Sequence, residues 1–533
     1  MDYLHHPFHG KRQTVFGRKG MVATSQPLAA QAGLDILKQG GNAIDAAIAT
    51  AAALTVLEPT SNGIGGDAFA LVWTKGEIYG LNASGPSPQA ISIEALREKG
   101  YEQMPVHGLI PVTVPGAPSA WVALSEKFGK LPLTDVLAPA IRYAEEGYPL
   151  TPTLGYYWEK GYSKYKKMFT TPEYQPWFDT FAPNGRAPKI GEMWSSKGHA
   201  RTLRLIAETK GEAFYRGELA EEIDAFMKEH GGYLAKEDLA AYKPQWVDPI
   251  RVNYKGYDVW EIPPNGQGIV AQMALNIYKN FEPAWQNAEA LHEQIEAMKL
   301  AYTDGKAFVT EPGEMPITAE QLLSDAYGHA RAQEIGAEAI EPKPYDIPKG
   351  GTVYLATADE EGNMVSFIQS NYMGFGSGIV IPNTGIALQN RGADFKFDET
   401  HPNVLRPGKR TYHTIIPGFL SKDGEAVGPF GVMGGYMQPQ GHFQVVTNTV
   451  DFHLNPQATL DMPRWQWMGG KTIHVEPHFP SYLVQALERK GHDVQVTTDG
   501  GPFGRGQIIW RDKETGVLSG GTESRTDGTI AAW

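Results

Sequence analysis

Thr352 directly follows Gly350-Gly351 and opens a run, residues 352–358, whose alternating β-branched and aromatic side chains read as a strand. A threonine hydroxyl is a weak nucleophile and needs a base. Cleavage between Gly351 and Thr352 would expose an α-amine on that same residue. An unperturbed α-amine, with a pKa of about 8, suits a base working near neutrality. One residue then carries nucleophile and base, and no histidine is required. The two glycines have no Cβ, so the backbone can strain as Thr352 attacks the carbonyl before it. Taken alone, the stretch also reads as an ordinary hairpin after a Gly-Gly loop, the commoner fate of such a pattern.

The hairpin turns through Asp359-Glu360-Glu361-Gly362-Asn363 and returns along residues 364–370. Ser370 comes eighteen residues after Thr352, at the far end of the second strand. Such ends approach each other, so its hydroxyl can meet the Thr352 amine or hydroxyl; otherwise it is a solvent-facing strand serine.

Upstream, Ser25 is a candidate N-cap with Pro27 just inside a helix over 28–39, which Gly40-Gly41 stops. Asn42 caps a second helix to about Leu57, whose alanine-rich face should lie against a sheet. Residues 69–73 and 77–81 read as paired strands. Helical periodicity runs over 117–128, 133–146, 203–210, 219–230, 271–279, 288–304 and 321–338. Residues 151–188, rich in aromatics, Pro and Gly, receive no assignment beyond packing. Beyond Thr352 strands dominate, with helices over 443–451, 457–461 and 480–489 and a late hairpin at 507–511 and 517–520. Strands flanked by helices predict two sheets sandwiched between helical layers.

The 533 residues would allow several domains, yet no linker-like tract appears, so one large α/β body fits best. The absence of cysteine excludes disulfides, thiolate metal sites and cysteine nucleophiles, and suits a reducing compartment. A net charge of −13 argues against nucleic-acid partners and against anionic membrane surfaces. The first ten residues lack a leader pattern, and the longest apolar tract, 43–57, contains Asp45 and is too short to span a bilayer. Cytoplasmic residence is the default expectation. His5, His6 and His9 offer only loose metal binding, and no cofactor is implied.

Several motifs lie in order along nearly the whole chain: Asn62-Gly63-Ile64-Gly65-Gly66-Asp67, Val114-Pro115-Gly116, Gly129-Lys130-Leu131-Pro132-Leu133 and Phe214-Tyr215-Arg216-Gly217. After Thr352 come Phe375-Gly376-Ser377-Gly378, Gln389-Asn390-Arg391-Gly392-Ala393-Asp394-Phe395, Lys409-Arg410-Thr411-Tyr412-His413-Thr414 and Gly431-Val432-Met433-Gly434-Gly435. Together these resemble the γ-glutamyltranspeptidase family. Asn82-Ala83-Ser84-Gly85 and Tyr412-His413-Thr414 place the likeness nearest its glutathione-hydrolase-like and cephalosporin-acylase-like branch. The resemblance implies a four-layer αββα N-terminal-nucleophile hydrolase fold. It also implies a precursor cut into a large subunit, 1–351, and a small subunit, 352–533, that together form one compact unit cleaving small-molecule amides. Assembly of that heterodimer into a homo-oligomer is left open.

The resemblance assigns further residues. Ser370 matches a second hydroxyl position. Gly434 and Gly435 would supply oxyanion-binding N–H groups, or be a plain turn pair. Asp394 would hold a substrate α-amino group, and Arg391 is a candidate for a substrate carboxylate; both otherwise read as surface charges. His413 and Thr414 stand where the family shows two carboxylate-binding serines, with His413 also readable as a structural histidine. The chain departs from the pattern in three places. Ser84 lies near the position of a carboxylate-clamping arginine, Tyr372 replaces an asparagine, and the loop 395–409 looks shorter by about ten residues. These departures predict weak γ-glutamyl binding and hydrolysis over transfer. The rival readings are a glutaryl-type acylase and an unprocessed, non-catalytic amide binder.

Overall fold

The computed structural model describes residues 12–342, 351–498 and 501–533. The histidine cluster at 5, 6 and 9 and the Pro-rich residues 343 and 344 lie outside them.

Two seven-stranded sheets face each other. The first runs, edge to edge, Thr529–Ala532, Gly20–Thr24, Gly351–Asp359, Met364–Tyr372, Asp67–Thr74, Glu77–Ala83 and Gln245–Val247. The second runs Val15–Gly17, Leu518–Thr522, Arg505–Arg511, Glu425–Met433, Gly418–Lys422, Tyr257–Glu261 and Ile250–Tyr254. All their pairings are antiparallel.

The two-residue period of a strand divides the central hairpin between two cores. Tyr354, Ala356, Ala358, Met364 and Ile368 pack between the sheets, with Phe69, Phe419 and Ile509. Val353, Leu355, Val365 and Phe367 face the opposite way, into a helical layer that includes Ala43–Leu57 and Ala117–Phe128. Helices Gly268–Tyr278, Ala288–Phe308 and Gln438–Val450 cover the outer face of the second sheet. The order helix, sheet, sheet, helix is the predicted sandwich.

Helix Ala43–Leu57 is buried along its whole length. Asn42 and Asp45 close a capping box at its start, and alanines let it lie close on the hairpin strands. The first helix is Pro27–Lys38, and its N-cap is Gln26 rather than Ser25, whose hydroxyl bonds Glu58 instead. The periodic stretch 321–338 is two short helices, Ala319–Leu322 and Asp325–Ala332, because Ser324 caps a new start between them. The aromatic segment left unassigned forms helices Pro152–Met168 and Gln175–Phe181. Trp158, Trp177 and Phe181 close around Phe375 at ring separations of 5.7, 5.1 and 4.9 Å.

Candidate active site

Gly351 pairs with Tyr372 and Val353 with Gln369, so Ser370 and Asn371 together oppose Thr352 in a β-bulge. The bulge aims Ser370 across the hairpin. Thr352 Oγ1 donates to Ser370 Oγ at 3.0 Å, and Ser370 Oγ donates to the Gly351 carbonyl at 2.7 Å. Tyr372 N–H also donates to Ser370 Oγ at 2.8 Å. One hydroxyl thus uses its single proton and both lone pairs, with the carbonyl of the Gly351–Thr352 bond as its acceptor. Tyr372 turns its N–H inward at φ 77°, a left-handed conformation rare for an aromatic residue. Both hydroxyls are buried, which rules out the solvent-facing reading of Ser370.

Asp67 begins the strand beside Ser370 and is fully buried. Its Oδ1 accepts from Gly116 N, Gly85 N and Gln389 Nε2 at 3.1, 3.2 and 2.9 Å, and its Oδ2 from His413 Nε2 at 2.9 Å. Burial pushes its pKa up to about 7 against these donors. Burial, and then the charge of Arg391, holds His413 well below its usual range, so the ring is neutral. Its Nδ1 accepts from Ile415 N at 3.4 Å. Both ring nitrogens are therefore engaged within the chain, the arrangement that the structural reading of His413 calls for.

Arg391 and Asp394 come from one short 3₁₀ turn, Arg391–Asp394, and are both buried, not surface charges. Arg391 Nη1 donates to Thr414 Oγ1 at 2.7 Å and lies 3.7 Å from Asp394 Oδ2. Its guanidinium sits over the Tyr372 ring at 4.0 Å. Asp394 Oδ1 accepts from Tyr372 and Tyr436 hydroxyls, each at 2.8 Å. Among the described residues, Arg391 Nε and Nη2 and Asp394 Oδ2 have no hydrogen-bond partner. Buried polar atoms are costly to leave unpaired. Three of them lie around one charge pair.

Gly434 and Gly435 connect strand Glu425–Met433 to helix Gln438–Val450 at φ 143° and 61°. Gln267 fixes this turn. Its Nε2 donates to Gly435 O at 2.9 Å and Thr414 O at 2.6 Å, while its Oε1 accepts from Tyr302 and Tyr412 hydroxyls at 3.1 and 2.9 Å. Sequence reasoning missed Gln267; the only local signal was the Gly-Gln-Gly run at a helix start. It missed Lys306 as well, which lies 3.5 Å from the Tyr436 ring centre.

The side chain of Ser84 is occupied by Asn82 and Asn265, at 2.7 and 3.3 Å. An arginine does approach from another part of the chain: Arg410 Nε donates to the Ser84 carbonyl at 2.9 Å and is paired with Glu311. The loop 395–409 is braced inside by Asn403, which donates to Asp394 O at 2.9 Å and to Thr411 Oγ1 at 3.0 Å.

Among the described residues, one cluster has ligand atoms close enough to share a metal: His292, Glu296 and His492. Lys299 already fills it, 2.7 Å from Glu296 Oε1 and 3.4 Å from His492 Nδ1. His492 Nε2 meets His292 Nδ1 at 2.8 Å, and His292 Nε2 meets Gly336 O at 2.9 Å. An ammonium where the cation would stand, and two neutral imidazoles passing one direction of hydrogen bonds, do not fit a metal site. No helix among the described residues is long and apolar enough to cross a membrane.

A threonine at the head of the central strand of an αββα sandwich, with a second hydroxyl on the carbonyl before it, defines the class of N-terminal-nucleophile hydrolases. The Gamma-glutamyltranspeptidase family model matches residues 29–533, and the chain belongs to that family. It is similar to a glutathione hydrolase-like proenzyme, YwrD, of Bacillus subtilis, with 37% identity over 97% of this chain and 99% of the relative. An oxamate amidohydrolase proenzyme of Klebsiella pneumoniae is 33% identical over 96% of this chain and 98% of its own. The crystal structure of a cephalosporin acylase from Bacillus halodurans superposes with a TM-score of 0.96 at 65% identity, covering 100% of this chain and 99% of that one.

Proposed function

We propose that the protein cuts itself between Gly351 and Thr352 and then hydrolyses amides of small, carboxylate-bearing acyl groups through a Thr352 ester. The observation that carries this reading is the Thr352–Ser370–Gly351 hydrogen-bond chain. Thr352 Oγ1 bonds to the Gly351 carbonyl carbon as its proton passes to Ser370 Oγ, and Ser370 gives its own proton to the carbonyl oxygen. The C–N bond then breaks with the proton returned to nitrogen, leaving an ester and a free Thr352 amine. Water hydrolyses that ester to a Gly351 carboxylate and the free hydroxyl, dividing the chain into subunits 1–351 and 352–533. In turnover the amine takes the Oγ1 proton, Oγ1 attacks the substrate carbonyl, and the leaving amine receives the proton. The Gly434 and Gly435 N–H groups would stabilise the oxyanion, and water would release the acid.

The acyl group would lie on Arg391, Thr414 and Asp394. A γ-glutamyl head group, as in glutathione, offers a carboxylate to Arg391 and an ammonium to Asp394, with hydrolysis favoured over transfer. A glutaryl-type acylase is the second reading, favoured by the likeness to a cephalosporin acylase. Denaturing electrophoresis with N-terminal sequencing tests the first step: two chains, the smaller beginning at Thr352, are expected. A single chain that is active would overturn the self-cutting step, and a single chain inert toward every amide would leave the non-catalytic binder. Steady-state kinetics on matched γ-glutamyl and glutaryl anilides, with and without glycylglycine, tests the second.

A further inference from the structure

Lys306 has no assigned task. It stands in the last turn of helix Ala288–Phe308, half-buried, with its ammonium 3.5 Å from the Tyr436 ring centre and 4.1 Å from that of Tyr412. Those rings stack at 6.1 Å. Among the described residues it makes no ion pair. The Tyr436 hydroxyl touches Asp394 Oδ1, so one ring separates Lys306 from the carboxylate. Tyr436 also follows Gly435 directly, which puts Lys306 beside the turn expected to hold the oxyanion.

The charges around Asp394 are unequal. Arg391 lies beside Asp394, Lys306 stands one ring away from it, and the exposed Lys396 adds a third cation at longer range. Asp67, the other buried carboxylate that Arg391 feels, is raised to about 7 by burial and is mostly uncharged below that pH. His401 adds no charge, since burial and then Lys396 lower its pKa. Tyr302, Tyr372 and Tyr436 stay neutral, because burial raises the phenols. A ligand bearing one carboxylate closes this balance. A ligand that also bears an α-ammonium restores the excess and must place its ammonium near two fixed cations.

We propose that Lys306 is a specificity residue that turns the acyl pocket against an α-ammonium, so that the preferred substrates are monoamides of dicarboxylic acids rather than γ-glutamyl amides. This rests on the function proposed above and goes further by choosing between its two substrate classes. Burial lowers Lys306 to about 7, with Asp394 opposing that shift. The discrimination therefore acts below neutrality and fades as the ammonium loses its proton above it.

The ratio of kcat/KM for glutaryl to γ-glutamyl 4-nitroanilide is the readout, because ionisation of the Thr352 amine cancels in it. In the wild-type enzyme the ratio should exceed ten at pH 6 and fall several-fold by pH 8. Lys306→Met should give a ratio several-fold below that of the wild-type enzyme at pH 6, keeping only the pH dependence that titration of Asp67 contributes. Lys306→Arg keeps its charge and should hold the ratio above that of the wild-type enzyme at pH 8. Calorimetric binding of glutarate and L-glutamate to the processed enzyme gives the same comparison without turnover, with glutarate weakened at least tenfold more than glutamate in Lys306→Met. A ratio unmoved by Lys306→Met in both measurements overturns the proposal. Failure of the chain to cut itself, or failure to hydrolyse either anilide, instead counts against the proposed function, and the same binding comparison, made on the protein as purified, cut or uncut, still decides the role of Lys306.

Discussion

The two ends of the candidate site differ in how fully their polar groups are paired. At the Thr352 end, the Ser370 hydroxyl has its proton and both lone pairs in use within the chain itself. At the Arg391 end, two guanidinium nitrogens and one carboxylate oxygen are buried without hydrogen-bond partners among the described residues. The closed end needs no ligand to be complete, as suits a step in which the chain is its own substrate. The open end bears an uncompensated cost that a charged ligand would relieve. On this comparison, the Thr352 end is built from local strand geometry, and the Arg391 end from groups of separate elements left unpaired.

Breaking the closed end should have the largest effect. Thr352→Ala should remain one chain and lose activity to background, since no other residue supplies both hydroxyl and amine; electrophoresis and anilide turnover check this. Thr352→Ser should still cut, more slowly. Ser370→Ala, which frees the Gly351 carbonyl, should slow cutting by roughly a hundredfold, within the range of proton-transfer catalysis. Cutting at the wild-type rate would remove Ser370 from the mechanism.

The turn between the two ends comes next. Gly435→Pro removes one N–H donor and cannot hold φ 61°. Its turnover number, measured on whatever fraction is processed, should drop by roughly a hundredfold, as for loss of one oxyanion donor. An unchanged turnover number would exclude the role.

Altering the open end should act on choice more than on rate. Asp394→Ala should weaken γ-glutamyl binding by about tenfold, in the range of a charge-assisted hydrogen bond, and leave glutaryl binding within a few-fold. An equal loss on both substrates would mean that Asp394 serves only to hold Tyr372 and Tyr436.

The smallest effect belongs to a third network, closed like the first but titratable. Burial lowers His492 to about 3 and also lowers His292. Between that value and the unfolded pKa of about 6.5, the unfolded chain binds more protons. Stability is therefore full above about 6.5 and is lost as pH falls below it, by about 2 kcal/mol for His492 at pH 5, with His292 acting in the same direction. Denaturant unfolding at pH 7 and pH 5 should show this drop, and His492→Asn should reduce it by its own share.

Much of this was legible in the residues alone. The two-residue alternation of 352–358 and 364–370, the turn between them and the Asn42 cap are local signals, and each appears at its expected place. So do Thr352 and Ser370, because a hairpin brings its own ends together. The N-cap at Gln26 and the break at Ser324 were missed because neighbouring hydroxyl residues compete for the same capping role. What only the tertiary structure decided is how the groups at the other end meet. The family resemblance named Arg391 and Thr414 singly, but Lys306, Arg391, Thr414 and Tyr436 come from a helix, two short turns and a loop, and no period or spacing relates them. The partner of His413 is Asp67, 346 residues away, which no local pattern points to. Periodicity reports which face of an element is buried, whereas a charge pair's partners depend on which elements the folded layers bring into contact.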